Sequence, residues 1–298
     1  MVILLETYNL TKRYKKQNAV DNVNITINKG DIYGCIGQNG AGKSTFIRLI
    51  TNVINPTGGS YKYNFTEEKY GNVSAIVETP SLFNSLTARE NIKSQMILLG
   101  NKDYSKINEL IEIVGLTKLL VDKNKKVGHF SLGMKQRLSI AIALTSNPEF
   151  VILDEPMNGL DPEGIVSFRE MILNLNKNYG ITFFISSHIL SELSKIATRY
   201  GIIHKGKLMK EFSPEDLNNS GQKRTIIEVN SIENIETVLL KANILKYEIE
   251  NKTITVFGEI SASNIFNVFA AENIEIKNIN TEKEDIEHYF LNLIGENK

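Results

Sequence analysis

Gly37, Gly42, Lys43 and Ser44 stand at the spacing G-x-x-x-x-G-K-S, a pattern tied to phosphate chemistry. A backbone that holds a phosphate must curl so that successive N–H groups point inward, and a Cβ obstructs several of those conformations. Gly37, Gln38, Asn39, Gly40, Ala41 and Gly42 would line such a cradle. Lys43 would reach the β- and γ-phosphates of a nucleotide, and Ser44 could ligate Mg²⁺. Thr45 falls in the first turn of the following helix, whose dipole favours anions at that end.

A second group of residues suits metal and water chemistry. Asp154 and Glu155 follow the unbroken apolar run Phe150-Val151-Ile152-Leu153. Asp154 is suited to hold Mg²⁺, and Glu155 to take a proton from attacking water as general base. Taken alone, an acidic pair after a strand is more simply a helix cap or a solvated turn. With the cradle upstream, the chemical reading prevails. His188 closes a similar series, Ile181 to Ile185 followed by Ser186 and Ser187, where an imidazole could hydrogen-bond a γ-phosphate.

These groups require a parallel sheet to bring them together. Ile32, Tyr33, Cys35 and Ile36 form a short apolar run before the cradle, as a buried strand should. Phe46, Ile47, Leu49, Ile50, Val53 and Ile54 recur behind it at helical spacing. Carboxylates at the C-terminal end of a buried strand lie where open α/β sheets bind ligands. From about 148 to 208 the chain alternates strand and helix, consistent with a parallel sheet.

Ser131-Leu132-Gly133-Met134-Lys135-Gln136-Arg137 has no task in a solitary nucleotide site. Ser131 reads as an N-cap opening an apolar-periodic helix through Met134, Leu138 and Ile142, and such a helix start is an anion site. The segment resembles the signature of ATP-binding-cassette (ABC) ATPases, usually written LSGGQ. Phe130, Leu132 and Met134 depart from that form, whereas Ser131 and Gly133 are kept. The resemblance covers about residues 1–215 and extends, in order, to other segments. Tyr14 resembles the aromatic that stacks on adenine, Met157 to Pro162 resembles the D-loop with Asp161 at the subunit junction, and Ser186-Ser187-His188 resembles the switch histidine.

The resemblance implies a P-loop NTPase of α/β class with an inserted helical subdomain at about 80–145. It also implies ATP and Mg²⁺ as ligands. Ser131 and Gly133 would contact the γ-phosphate held by a second copy, so two subunits close on two nucleotides. Where the family carries Gln at the start of its partner-sensing loop, this chain has Glu78, a stronger Mg²⁺ ligand than an amide. Glu78 with SLGMKQR is similar to cassettes of exporters that protect against lantibiotics and bacitracin-like peptides. The plainer alternative is a near-isosteric swap without consequence.

Composition bounds the remaining possibilities. The 298 residues carry 34 Lys+Arg and 34 Asp+Glu, a net charge of zero that gives no support to nucleic-acid binding by bulk basicity. Hydrophobic residues at 42% suffice for a packed core. Cys35 is the single cysteine, so no intramolecular disulfide forms, and its place in an apolar strand suggests a buried, inert thiol. The four histidines lack metal-ligand spacing. No apolar run approaches the roughly 18 residues that span a bilayer, and Met1–Leu5 lacks the charged leader of a signal peptide. The expected location is cytoplasmic, peripheral on the inner membrane face through an integral membrane permease.

Thr87-Ala88-Arg89-Glu90 reads as a capping box, with Ile92, Met96 and Leu99 on one face behind it. Ile107, Leu110, Ile111 and Val114 mark a second helix closing near Gly115. Residues 213–224 read as a linker. Beyond it, 222–298 reads as an accessory α+β domain. Strands are expected at 225–229, 246–249, 253–257 and 274–279, and helices at about 232–242, 261–273 and 281–294. The order suggests a ferredoxin-like sandwich.

The expectation is therefore the ATP-hydrolysing subunit of a membrane exporter, acting as a homodimer. A metabolic kinase or GTPase would leave SLGMKQR unexplained, and no N-K-x-D motif is present. A chromosome- or ribosome-associated cassette protein fits less well, since only about 50 residues separate Glu78 from Ser131 and the chain holds one cassette.

Overall fold

The computed structural model describes residues 2–67, 71–77, 81–216, 223–257 and 260–283, with 289, 290, 293 and 295. The chain divides into two compact units, Met1–Pro214 and Glu215–Lys298.

The first unit begins with strands β1 (Ile3–Tyr14), β2 (Gln17–Val23) and β3 (Thr26–Asn28), followed by β4 (Ile32–Ile36), helix α1 (Lys43–Ile50), β5 (Gly58–Tyr63) and β6 (Val73–Ile76). Helices α2 (Ala88–Leu98), α3 (Ile107–Ile113), α4 (Lys118–Val121) and α5 (Leu132–Ala143) come next. The alternating part comprises β7 (Phe150–Asp154), α6 (Pro162–Tyr179), β8 (Thr182–Ser187), α7 (Leu190–Leu193), β9 (Arg199–His204) and β10 (Lys207–Phe212).

Six strands form one sheet in the order β10-β9-β4-β8-β7-β6. All its pairings are parallel except the β9–β10 hairpin. Parallel strands covered on both sides must be apolar throughout, and β4 and β7 are buried at every position. β1 pairs antiparallel with β2, β3 and β5 in a second sheet.

Register is what positions the site. Ile36 lies opposite Ser187 across β4–β8, and Asp154 lies opposite Ser186 across β7–β8. The C-terminal ends of the three strands are therefore level, and the segments that follow them emerge at one edge. The core beneath is aromatic. Tyr33 and Phe46 each stack on Phe184 with ring centroids 5.6 Å apart, which seats α1 on the sheet. Burying each such ring contributes about 1.5–3 kcal/mol.

Two expectations along this stretch need correction. Val53 does not extend the apolar face of α1, because the helix ends at Ile50 and Val53 is 67% exposed. Leu99 is the C-cap of α2 and only half-buried, while Ile92 and Met96 are buried as expected. The capping box is present in full: Glu90 N–H donates to Thr87 Oγ1 at 3.2 Å, and Thr87 N–H donates to Glu90 Oε2 at 2.7 Å. Ile107, Leu110, Ile111 and Val114 are buried, and Gly115 adopts φ +73° at the helix end.

The second unit runs β11 (Lys223–Val229), α8 (Ile235–Lys241), β12 (Tyr247–Glu250), β13 (Thr253–Phe257), α9 (Ala262–Ala271) and β14 (Ile276–Lys283). Its sheet is antiparallel with order β12-β13-β11-β14. Ile227, Val229, Ile254 and Val256 pack against Val238, Leu239, Ile265 and Phe269. Residues 281–283, expected to begin a helix, instead extend β14, because they continue its register against Lys223–Thr225.

Candidate functional site

The glycine loop leaves β4 and enters α1 with its backbone pressed against two neighbouring strands. A Cβ on Gly37 would fall 2.5 Å from the Ile203 carbonyl oxygen, and one on Gly42 would fall 2.3 Å from that of Ala19. Gly42 also has φ +113°, a conformation open to glycine. Gly37 and Gly42 are thus required by close packing as well as by the curl of the cradle. Gln38, Asn39 and Gly40 lie exposed at the loop tip, while Ala41 is buried. Ser44 and Thr45 sit in the first turn of α1.

Lys43 is 5% exposed, and its Nζ donates to the carbonyls of Gly37 at 2.6 Å and Gln38 at 3.3 Å. The same Nζ lies 3.1 Å from Glu155 Oε1, an ion pair without an aligned hydrogen bond. Glu155 Oε2 meets His188 Nδ1 at 2.8 Å and accepts the His188 backbone N–H at 3.3 Å. Three groups predicted to act together, at the start of α1 and just after β7 and β8, are therefore linked through Glu155.

Asp154 is buried at the end of β7, and Ser186 Oγ donates to its Oδ1 at 2.5 Å. Glu155 adopts φ +51°, uncommon for a residue with a side chain, and its N–H donates to Ser186 Oγ at 2.9 Å. Ser186 is a contact residue that the motif pattern alone does not mark out. Its available signal was a hydroxyl at a strand end two residues before the histidine.

Ser131 and Asp161 occupy a different place. Ser131 caps α5, accepting the Met134 N–H at 3.3 Å, and Asp161 caps α6, accepting the Gly164 N–H at 3.0 Å. Both line a cleft of about 620 Å³ with Leu132, Gly133, Gly159 and Leu160. Leu132 approaches Gly159 closely; a Cβ there would sit 3.0 Å from Leu132 Cδ2. Lys43, Glu155 and His188 do not line this cleft.

Tyr14 ends β1 with its ring half-exposed, and Lys12 Nζ lies 5.3 Å from the ring centroid. Lys12 Nζ also donates to the Asn55 carbonyl at 2.7 Å. Glu78 lies outside the described residues. Cys35 is buried in β4, and burial pushes its thiol up to about 12.

The donor set fits Mg²⁺-nucleotide. Ser44 and Asp154 offer hard oxygens of the type such a cation takes alongside substrate phosphates. Among the described residues no cluster of three or more His, Cys, Asp or Glu side chains forms an all-protein metal cage. Among them, too, no helix is long and apolar enough to cross a membrane.

Comparison with known proteins agrees with this geometry. The family model described as ABC transporter matches residues 20–158. The chain is 41% identical to the bacitracin transport ATP-binding protein BcrA of Bacillus licheniformis, covering 99% of this chain and 98% of that protein. It is 43% identical to the lantibiotic transport ATP-binding protein SrtF of Streptococcus pyogenes, over 70% of this chain and 90% of that one. In structure it is similar to the ADP conformation of an ATP-binding cassette of an ABC transporter. That match has a TM-score of 0.65 at 26% identity, covering 74% of this chain and 94% of the other. With a close-packed glycine loop, a carboxylate–histidine pair at one sheet edge and relatives matched along their length, the chain belongs to the ATP-hydrolysing, ATP-binding subunits of ABC transporters.

Proposed function

We propose that this protein is the motor of an exporter that expels lantibiotic- or bacitracin-like peptide antibiotics. The observation that carries the substrate class is similarity along the full chain to a bacitracin transport protein, joined by that to a lantibiotic transport protein. Residues 1–215 form the ATPase domain with its helical subdomain at about 80–145, and 222–298 form an accessory domain.

Within the cassette, Gly37–Thr45 hold the phosphates, Tyr14 stacks on adenine, and Ser44 and Asp154 hold Mg²⁺. When bound, Mg²⁺ neutralises charge on the β- and γ-phosphate oxygens. Lys43 binds the same phosphates and, in doing so, exchanges its contact with Glu155 for them. Glu155 takes the proton of the attacking water on a carboxylate oxygen, while His188 orients that carboxylate and reaches toward the γ-phosphate. The 3.1 Å and 2.8 Å contacts of Glu155 support this assignment.

Ser131 and Gly133 line a cleft that Lys43 and Glu155 do not share. That separation supports a head-to-tail homodimer in which each chain completes its partner's site, with Asp161 at the junction. ATP then favours the closed pair by its differential affinity for that state. Closure passes through the Glu78 loop and the helical subdomain to a separate integral membrane permease, which keeps the subunit peripheral on the cytoplasmic face. Nucleic acid has no part in this scheme.

The second unit's β-α-β-β-α-β order and its sheet order β12-β13-β11-β14 support a ferredoxin-like sandwich. The 211-residue match to the lantibiotic transport protein is close in length to Met1–Pro214, which supports an accessory role for the remainder. Co-purification with a multi-spanning membrane protein, and loss of peptide-antibiotic resistance on deletion, test the proposal. Unchanged resistance would remove the substrate class while leaving the ATPase in place.

A further inference from the structure

Ser186 is fully buried, and the reaction steps above give it no role. Its hydroxyl nevertheless meets both carboxylate residues of the site. A hydroxyl has one proton to donate and two lone pairs to accept with. The proton goes to Asp154 Oδ1 at 2.5 Å, the length of a charge-assisted bond, and a lone pair receives the Glu155 N–H at 2.9 Å. The Ser186 backbone carbonyl accepts that same N–H at 3.2 Å. Neighbouring Ser187 differs: its Oγ accepts the Ile189 N–H at 2.9 Å and so closes the turn that follows.

We infer that Ser186 is a positioning residue for hydrolysis, whose single hydroxyl sets the Asp154 carboxylate and the Glu155 backbone in a fixed relation. Two features require such a device. Asp154 is buried and keeps a useful orientation for a cation only if its other oxygen is held. Glu155 stands at φ +51°, a conformation that surrounding bonds must maintain in a non-glycine residue. The parallel register that sets Asp154 opposite Ser186 makes one side chain sufficient for both. Because Ser186 is on the strand that leads to His188, the hydroxyl also ties the position of that histidine to the two carboxylates.

This inference rests on the roles proposed for Asp154 and Glu155. It separates nucleotide binding from turnover, since the bonds of Ser186 reach the carboxylates and not the glycine loop. In the full-length protein, Ser186→Ala is expected to keep affinity for a fluorescent ATP analogue within about twofold and to lower kcat roughly tenfold, the size a lost hydrogen bond to a charged group supports. Mn²⁺ binding in the presence of ADP, read by electron paramagnetic resonance, should weaken several-fold. Ser186→Thr, which keeps the hydroxyl, should recover both properties. If Ser186→Ala does not fold, Ser186→Cys keeps the volume with a far weaker donor and is read the same way. Wild-type kcat and Mn²⁺ affinity in the Ala variant, or equal losses in the Ala and Thr variants, would overturn the inference. A wild-type protein that failed to hydrolyse ATP would instead overturn the site roles on which it rests.

Discussion

The Lys43 ammonium and the Glu155 carboxylate form an ion pair at 3.1 Å across the C-terminal edge of the sheet. One stands at the start of α1, beyond the glycine loop that follows β4, and the other directly follows β7. They meet because β4 and β7 both flank β8 in level register. Glu155 is held further by His188 Nδ1 at 2.8 Å. Under the proposed roles, a phosphate entering the glycine loop would compete for Lys43, so one contact would couple nucleotide binding to the freeing of Glu155.

Glu155→Gln should retain ATP binding while turnover falls by about 10²–10⁴-fold, the usual contribution of a positioned general base. With hydrolysis stopped, the closed pair should persist and elute as a dimer in ATP during size-exclusion chromatography. A variant that stays monomeric and active would contradict both the base and the dimer.

Ser131→Arg places a bulky cation at the helix start that would face the partner's nucleotide. ATP binding at the cradle should remain within a few-fold of wild type, because Ser131 lies in a separate cleft. Hydrolysis should be lost at both sites of a homodimer. Unchanged steady-state hydrolysis would argue against a composite site.

Thr87→Ala removes the N-cap of α2 and should cost about 1 kcal/mol, visible as a lower Tm. The backbone N–H of Thr87 holds the Glu90 carboxyl below its ordinary value of 4.5, aided by the Thr87 side chain and Lys126. A carboxyl lowered by folding adds stability above its ordinary pKa, and that stability is lost as pH falls through the lowered folded value. Side-chain ¹³C NMR titration of Glu90 should show a midpoint below 4.5 that rises in Thr87→Ala.

Cys35 should not react with a thiol reagent at pH 8 in the folded protein. Burial raises the thiol to about 12, so the reactive thiolate is scarce and also inaccessible. One equivalent should react after denaturation, and rapid labelling under native conditions would contradict the burial of β4.

Glu78→Gln should mainly impair peptide resistance in cells, with ATP binding retained. Resistance at the wild-type level would leave the acidic residue as a simple isostere of the usual glutamine.

Much of the site was legible in one dimension because its parts are local. Gly37 to Ser44, the apolar runs Ile32–Ile36 and Phe150–Leu153, and the Thr87–Glu90 box each draw on short-range rules of backbone conformation, burial and capping. The N-cap at Ser131 is local in the same way. Helix ends were less legible: Val53 has the right spacing, yet α1 stops before it and the residue faces solvent. Strand β14 runs to Lys283 because pairing with β11 outweighs its polar composition, a contact between distant segments that no local window contains.

The sequence by itself thus determined which groups are present: a glycine loop of phosphate-binding pattern, two carboxylates, a histidine and a capped helix start. Only the tertiary structure decided which of these meet. Parallel pairing of β4, β8 and β7 levels three strand ends, so Lys43, Glu155 and His188 converge and Ser186 comes to bridge Asp154 and Glu155. Ser131 and Asp161 instead belong to a separate cleft. The reason is physical: each residue's type is local information, whereas strand register and the left-handed turn at Glu155 depend on hydrogen bonds between segments far apart in the chain.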